Sequence, residues 1–511
     1  MRGIDRRFLL RAMSAGIGLA ALPALADPVF RRYPFSLGVA SGDPRPDGVV
    51  LWTRIAPEPL EGGGMPMQPV EVAWEIASDD RFRNVVRKGT ETARPELAHA
   101  VHVEVDGLEP GRDYWYRFQV GKERSAAGRT RTAPAAGSAV ERLRFAVAGC
   151  QHYEQGLFTA FRHLAAERLD FVFHYGDYIY EGRESGPNVP RPRLHRGDEI
   201  YTLVDYRNRY AQYKTDRDLQ AAHASTAWIA SFDDHEIDNN WARDRDDNDT
   251  PPEIFLLRRA AAFQAWYEHM PVRRALLPRG ADLDMFRRFA FGSLLDLHVL
   301  DTRQYRTDQP CGDRIKPRCA DAMDPNATIL GAPQKAWLFG GLAESRARWN
   351  ALAQQVMIGQ VDRDIGAERR FDMDKWDGYV ADRMDLIGHI AERRQGNVVA
   401  LTGDAHNTWI GDLVRDFDDP ASPPVASEFV STSITSGGDG VDQRPDTPRI
   451  LAQNPHWKFY NDQRGYLSCT VTNERWQTDV RIVPFVSKPD APISTRASFV
   501  VEHGRPGVQG A

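Results

Sequence analysis

Four short segments, far apart in the chain, each place metal-binding side chains directly after an apolar run. Their donors include carboxylates and imidazoles, and also one thiol and one phenol. Carboxylate oxygens suit calcium or magnesium, whereas a thiolate and a phenolate on one ion favour a transition metal, with ferric iron the best match for phenolate. The four segments are Ala148–His152, Tyr175–Tyr180, Asp233–Glu236 and Thr402–His406.

These side chains predict a mixed metal centre that carries out hydrolysis. Open α/β sheets bind ligands at the carboxyl ends of their strands, and each segment follows a predicted buried strand. Several cations together polarise phosphoryl oxygens and supply a deprotonated water, so a phosphate ester suits the site better than a neutral amide. The predicted metal ligands are Cys150, Asp177, Tyr180, Asp234, Glu236, Asp404 and His406.

Single members of this set have ordinary structural explanations. Cys150 or Tyr180 alone is more often a core residue, and Asp177 alone caps a turn. Asp233–Glu236 alone is typical of a solvated helix start, where aspartate is a common N-cap. The ordered occurrence of the whole set favours a metal centre over these explanations.

The elements that must position the four segments begin at residue 142. Leu143–Ala148 is predicted as a strand, Phe158–Ala166 as a helix and Phe171–Tyr175 as a buried strand, which together form a right-handed βαβ unit. We therefore predict a catalytic domain over 142–486 and a C-terminal tail over 487–511. Further helices are predicted over 206–213 and 252–269, and further strands over 286–300, 356–358, 398–401, 425–436 and 466–486.

Residues 33–135 have the pattern of a separate all-β domain. Val70–Ile76 and His99–Val105 alternate apolar and polar residues with a period of two. Leu108–Phe118 contains a turn followed by a strand that starts at Tyr114, which is similar to the tyrosine corner of fibronectin-type sandwiches. The pattern favours a β-sandwich over a generic hairpin.

Residues 1–26 are predicted to be a twin-arginine signal peptide. Arg6 and Arg7 precede an apolar stretch that is too short to span a membrane, and Ala24–Ala26 offers small residues for cleavage. We therefore expect the twin-arginine export machinery as a partner and a periplasmic or secreted location. The remaining sequence has no apolar run of the roughly 18 residues that a membrane helix needs.

Composition and charge limit the other classes of function. The chain has 511 residues and a formal net charge of -6, with its 65 basic and 71 acidic residues interspersed. This distribution argues against a nucleic-acid-binding surface. Cys311 and Cys319 are spaced to form a local disulfide, and Cys469 is predicted to be buried.

With these motifs the chain resembles the D-type alkaline phosphatases (PhoD family) within the calcineurin-like metallophosphoesterases. The resemblance covers nearly everything after the predicted signal peptide. Cys150, Tyr180, Asp234 and Asp404 depart from the motifs of the wider superfamily, and the D-type family shares these departures. The matching segments are Phe35–Pro44 and Val49–Arg54 in the N-terminal domain, and Gly149–Gln151, Gly176–Glu181, Asp233–Glu236 and Gly403–His406 in the catalytic domain.

The resemblance implies a fold, a set of cofactors and roles for the site residues. The implied fold is an α/β (α+β) metallophosphoesterase sandwich of mixed β-sheets flanked by helices, preceded by an all-β fibronectin-type or immunoglobulin-like sandwich. One ferric ion and two calcium ions are implied. The catalytic histidine position falls on His235, which would protonate the leaving alkoxide or steady the phosphoryl charge, or would instead support the ligands. The implied iron ligands are Cys150, Asp177, Tyr180 and His406, and the implied calcium ligands are Asp177 as a bridge, Asp234, Glu236 and Asp404.

The leading hypothesis is an exported alkaline phosphatase that hydrolyses phosphate monoesters and diesters. A phospholipase D-like phosphodiesterase is the alternative within the same chemistry. A surface binding module with structural metals is the alternative of a different class. His152 is left open as a further iron ligand.

Overall fold

The computed structural model describes residues 29–183, 191–364, 366, 368–392 and 397–511, so the predicted signal peptide over 1–26 lies outside the described residues. The described chain is a mixed α/β structure with several sheets and few helices. Its helices are α1 (Thr159–Ala166), α2 (Leu203–Lys214), α3 (Arg217–Ser225), α4 (Pro252–His269), α5 (Gly331–Glu344), α6 (Val380–Glu392) and α7 (Thr447–Gln453). Its strands are β1 (Val39–Arg45), β2 (Gly48–Arg54), β3 (Val70–Ala77), β4 (Val85–Ala93), β5 (Ala100–Asp106), β6 (Asp113–Val120), β7 (Glu123–Arg124), β8 (Gly128–Arg131), β9 (Leu143–Ala148), β10 (Phe171–His174), β11 (Ala227–Ala230), β12 (Arg287–Phe291), β13 (Leu295–Val299), β14 (Ile315–Lys316), β15 (Trp349–Ala353), β16 (Phe371–Asp372), β17 (Val398–Thr402), β18 (Thr408–Val414), β19 (Pro424–Val430), β20 (Trp457–Asn461), β21 (Arg464–Val471), β22 (Arg475–Val483), β23 (Ser494–Glu502) and β24 (Arg505–Gly510).

A ten-stranded sheet contains three of the four strands that lead into the site. Its order is β24-β23-β22-β21-β9-β10-β11-β1-β2-β5. Within it β9, β10 and β11 are parallel neighbours, with Phe171 opposite both Phe145 and Ala227. Because α1 connects β9 to β10, the predicted βαβ unit is confirmed. The carboxyl ends of these three strands therefore lie side by side.

A seven-stranded sheet supplies the fourth site strand. Its order is β12-β13-β15-β17-β19-β18-β20, and β13, β15, β17 and β19 run parallel to one another. The prediction of a strand over 356–358 is wrong, because β15 ends at Ala353. The backbone N–H of Ile358 donates to the carboxylate of Glu428 instead of to a neighbouring strand.

The two large sheets face each other across one apolar core. Val147 and Phe173 of the ten-stranded sheet pack with Leu297, Ala351 and Leu401 of the seven-stranded sheet. Helices α1 to α4 cover the outer face of the first sheet, and α5 and α6 cover that of the second. This arrangement is the expected sandwich of mixed sheets flanked by helices.

The elements within 33–135 are strands apart from one short 3-10 turn at Pro95–Leu97. Strands β3, β4, β6, β7 and β8 form a five-stranded sheet, whereas β1, β2 and β5 belong to the ten-stranded sheet. Side chains of both groups, such as Leu51 and Val72, share one core. The Tyr114 hydroxyl accepts the Glu109 N–H at 2.9 Å, as in a tyrosine corner. Since β1 pairs with β11 across the expected domain boundary, an independent sandwich domain stays a prediction.

The C-terminal segment over 487–511 is more than the tail that the sequence predicted. Strand β23 pairs with β22, and β24 pairs with β23, so both extend the ten-stranded sheet. Phe499 and Val501 of β23 pack into the core between the two large sheets. This segment therefore belongs to the catalytic fold.

Two smaller predictions can also be compared with the structure. Cys311 and Cys319 form a disulfide, and Cys469 is buried, as expected. Among the described residues, no helix combines the length and the apolar character that crossing a membrane requires.

Candidate metal centre

The site lies where the parallel strands of both large sheets end. Cys150 follows β9, Asp177 follows β10, and Asp404 and His406 follow β17. These four residues have left-handed backbones, with φ values of 50°, 53°, 61° and 59°. Such a conformation costs of order 1–3 kcal/mol for a residue other than glycine and is typical of functional sites. The strand ends are therefore shaped to aim these side chains inward.

The first donor group joins a thiol, a phenol, a carboxylate and an imidazole. Cys150 Sγ lies 3.2 Å from Asp177 Oδ2, and Tyr180 Oη lies 2.8 Å from the same oxygen. Tyr180 Oη is also 3.0 Å from His406 Nε2. The structure thus brings together the four side chains that the family resemblance implies as iron ligands. His152 packs its ring against Tyr180 at 4.4 Å between centroids and belongs to none of the donor groups found among the described residues.

Two further donor groups continue from the first. Asp177, Asp234 and His235 have ligand atoms within 4.8 Å of one another, and so do Asp233, Asp234 and Asp404. Asp177 links the first group to the second, and Asp234 links the second to the third. Adjacent groups that share carboxylates are suited to bridging neighbouring cations.

The chemistry of this donor set fits bound cations. Burial, reinforced by neighbouring carboxylates, raises the pKa of Asp177. Burial also raises the pKa of the Cys150 thiol and of the Tyr180 hydroxyl, with the Asp177 charge acting in the same direction. Asp233 Oδ2 is buried without a hydrogen-bond partner. These buried acidic groups can all be ionised only if nearby positive charge offsets their mutual repulsion and their loss of water, and bound metal ions would provide that charge.

Glu236, predicted as a calcium ligand, has a different role in the structure. Its Oε2 accepts the backbone N–H groups of Asp177 at 3.0 Å and Asp233 at 2.9 Å. Its Oε1 accepts the N–H of Tyr178 at 2.7 Å. With both oxygens engaged by the backbone, Glu236 lies outside the three donor groups. Glu236 therefore holds the loop that carries Asp177, its role as a calcium ligand stays a prediction, and Asp233 is a further candidate donor.

His235 lies beside the carboxylates and is oriented by Glu181. Its Nδ1 is 2.7 Å from Glu181 Oε2, and its ring packs against Tyr180 at 4.2 Å between centroids. Burial lowers the pKa of His235, but the carboxylates of Glu181, Asp234 and Asp177 outweigh burial and raise that pKa well above its ordinary value. With 19% of its side chain exposed, the imidazolium is accessible for proton donation.

Sequence reasoning missed several residues that support the site. Arg303 and Asp374 form a buried ion pair next to the third donor group, and Lys375 contacts Asp404. Ser436 Oγ lies 2.6 Å from Tyr180 Oη. Arg303 follows β13 and Ser436 follows β19, so the strand-end rule that found the ligands would also have found these two. Arginine and serine are not typical metal ligands, so a search for donor side chains does not select them.

Two facing mixed sheets with acidic and imidazole donors at their strand ends define a metal-dependent hydrolase. A family model described as PhoD-like phosphatase matches residues 145–480, and one described as PhoD-like phosphatase, N-terminal domain, matches residues 21–134. Alkaline phosphatase D of Bacillus subtilis (strain 168) is 51% identical over 509 residues, covering 98% of this chain and 87% of the relative. A solved structure described as "Structure of PhoD" matches with a TM-score of 0.92 and 52% identity, covering 95% of this chain and 93% of that chain.

The chain belongs to the PhoD-like phosphatase family. It is therefore a phosphoric ester hydrolase, the class of enzyme that its strand-end residues predicted.

Proposed function

We propose that the chain is an exported phosphatase that hydrolyses phosphate monoesters and diesters at a centre of one ferric ion and two calcium ions. The observation that carries the proposal is the position of Asp177 Oδ2, which lies 3.2 Å from Cys150 Sγ and 2.8 Å from Tyr180 Oη. A thiolate beside this carboxylate favours a transition metal over calcium or magnesium, and ferric iron is the best match for the phenolate.

The three donor groups divide between the two kinds of metal. Cys150, Asp177, Tyr180 and His406 would hold the iron. Asp177 would bridge to calcium, which the oxygens of Asp233, Asp234 and Asp404 suit as hard ligands. When bound, the metals would polarise the phosphoryl oxygens and supply a deprotonated water.

His235 is proposed as the catalytic acid. His235 Nδ1 donates a hydrogen bond to Glu181 Oε2, which fixes the orientation of the ring and leaves Nε2 for the substrate. Glu181, which is not among the proposed metal ligands, favours the imidazolium form, so a proton is available for the leaving alkoxide. The strained strand ends and the backbone clamp of Glu236 keep the ligands aligned without rearrangement during the reaction.

Elemental analysis of protein purified without chelator tests the metal assignment. One iron and two calcium ions per chain support it, and zinc alone contradicts it. Parallel assays with a phosphate monoester, a bis-ester and phosphatidylcholine separate a phosphatase from a phospholipase D-like enzyme. A folded Asp177→Ala protein that has lost hydrolysis rejects the alternative of a binding module with structural metals.

Export rests on the paired arginines of residues 1–26 and on the Cys311–Cys319 disulfide, which is typical of proteins in oxidising compartments. Replacing Arg6 and Arg7 by lysine tests this part of the proposal. Fractionation should then recover the chain from the cytoplasm and not from the periplasm or medium, whereas unchanged export would contradict twin-arginine transport.

A further inference from the structure

Arg303 is a fully buried cation beside the metal centre. Its side chain is 0% exposed, and it follows β13 at the strand ends where the donor groups meet. Burying a guanidinium is costly unless carboxylates compensate its charge with well-formed hydrogen bonds. The carboxylates that compensate the charge of Arg303 therefore indicate its role.

Two carboxylates use the donors of Arg303 directly. Its Nε donates to Asp233 Oδ1 at 2.6 Å. Its Nη1 and Nη2 donate to the two oxygens of Asp374 at 2.8 and 3.1 Å, in a bidentate pair. A planar fork of this kind fixes the direction of both partners, which a lysine ammonium cannot do.

The same guanidinium also faces the other two members of the third donor group. Its Nη2 lies 3.7 Å from Asp234 Oδ2 and 3.8 Å from Asp404 Oδ1. Arg303 thus contacts Asp233, the member of this group that sequence reasoning did not select, and stands next to Asp234 and Asp404. Asp233 keeps its second oxygen, Oδ2, buried and without a partner.

We propose that Arg303 is a positioning residue that assembles Asp233, Asp234 and Asp404 into a calcium site. This inference rests on the proposed function, because it assigns a role within the calcium part of that centre. Asp374 fixes the orientation of the guanidinium through its bidentate pair. Arg303 in turn holds Asp233 by Oδ1 and leaves Asp233 Oδ2 free. None of these contacts requires Arg303 to touch the substrate.

Two effects of Arg303 oppose each other. Its positive charge repels a nearby cation, which by itself would weaken calcium binding. Its ion pairs hold closely spaced buried carboxylates in one alignment, which strengthens calcium binding. The second effect prevails, because removing the guanidinium leaves Asp233 buried without the donor that holds it, whereas Asp374 keeps Arg306 and Gln309. Asp233 would then turn away from the donor group.

Arg303→Gln, compared with wild type, tests the proposal. Bound calcium and iron are measured by elemental analysis after equilibration of the purified enzymes in calcium buffers. We expect calcium affinity to fall about 10- to 100-fold, the range for residues that orient metal ligands, while iron content stays at the wild-type level. Arg303→Lys restores the charge without the fork and should regain only part of the affinity.

Arg306→Gln is the matched control. Arg306 is equally buried and donates to Asp374 Oδ1 at 3.0 Å, and its other contacts are with the Asp374 carbonyl and with Tyr379. Its loss should leave calcium affinity within about twofold of wild type, as expected for a residue that does not contact the donor groups.

Calcium affinity in Arg303→Gln that equals or exceeds the wild-type value overturns the inference while leaving the proposed function intact. Equal loss of iron and calcium also overturns it, because a general collapse of the site is then the cause. Wild-type protein that binds no calcium rejects the proposed function itself. Should Arg303→Gln not fold, Arg303→Lys carries the same test, with weaker calcium binding and unchanged iron as the supporting result.

Discussion

Tyr180 Oη and His406 Nε2 lie 3.0 Å apart although 226 residues separate them in the sequence. One follows a strand of the ten-stranded sheet and the other a strand of the seven-stranded sheet, so this contact joins the two halves of the sandwich. A metal ion held by both side chains would tie the carboxyl ends of the two sheets together. The site is therefore a product of the whole fold.

Tyr180→Phe should remove the phenolate ligand with little change in volume. We expect the visible absorption of a ferric phenolate to disappear and the hydrolysis rate to fall by more than about 100-fold, beyond the effect of losing a supporting residue. Absorption spectra and phosphatase assays check this. A variant with unchanged colour and activity would show that Tyr180 is only a core residue.

Glu236→Gln should destabilise the fold even when calcium is removed. The amide cannot accept all the backbone N–H groups that Glu236 accepts from Asp177, Tyr178 and Asp233, and a buried unsatisfied donor costs about 1–3 kcal/mol. The thermal midpoint in the presence of EGTA should therefore fall below the wild-type value. Identical midpoints in EGTA would contradict this structural role and would favour Glu236 as a calcium ligand.

Calcium removal should abolish activity reversibly. The second and third donor groups are dominated by carboxylate oxygens, whereas the first contains sulfur, phenol and imidazole donors. EGTA is expected to strip calcium while iron remains, and added calcium should restore hydrolysis. Parallel measurement of activity and metal content checks this, and joint loss of both metals would contradict the division of the donor groups.

His102 should make the protein less stable in acid. Burial lowers the pKa of His102 to about 4, while an unfolded histidine titrates near about 6.5. The unfolded chain therefore binds the proton first, and stability that is complete above pH 6.5 is lost as the pH falls towards 4. The expected loss between pH 7 and pH 5 is about 2 kcal/mol.

His102→Gln isolates this contribution. Glutamine can still donate to the Tyr267 and Met270 carbonyls that His102 Nε2 contacts at 3.0 and 2.9 Å. Between pH 7 and pH 5 the unfolding free energy of wild type should fall by about 2 kcal/mol more than that of the variant. Other buried histidines affect both proteins equally, so parallel pH profiles would contradict the assignment.

The strand-end rule predicted most of the site because it depends only on local sequence. An apolar run followed by donors located Cys150, Asp177, Asp234 and His406. It does not rank the donors within the run Asp233–Glu236, where adjacent carboxylates look alike in sequence. Only the fold shows that Glu236 faces the backbone while Asp233 keeps an oxygen free.

The parts of the fold that sequence did not predict depend on long-range pairing. β23 and β24 have few apolar side chains, and their place becomes clear only when β22 offers a paired edge. Likewise, the pattern of apolar and polar residues in β1 does not indicate that this strand pairs with β11, which lies in another predicted domain. Arg303 follows β13, so the strand-end rule marks its position, but arginine gives no local sign of the carboxylates that it contacts, and only the structure shows its role.

In the proposed centre, the Cys150 sulfur and the Tyr180 phenol oxygen bind the same iron ion. Iron-edge X-ray absorption of the purified enzyme measures it directly. We predict ferric iron with one sulfur neighbour and the rest oxygen or nitrogen, and loss of that sulfur signal in Cys150→Ser. An iron shell without sulfur, or zinc in place of iron, would contradict the account.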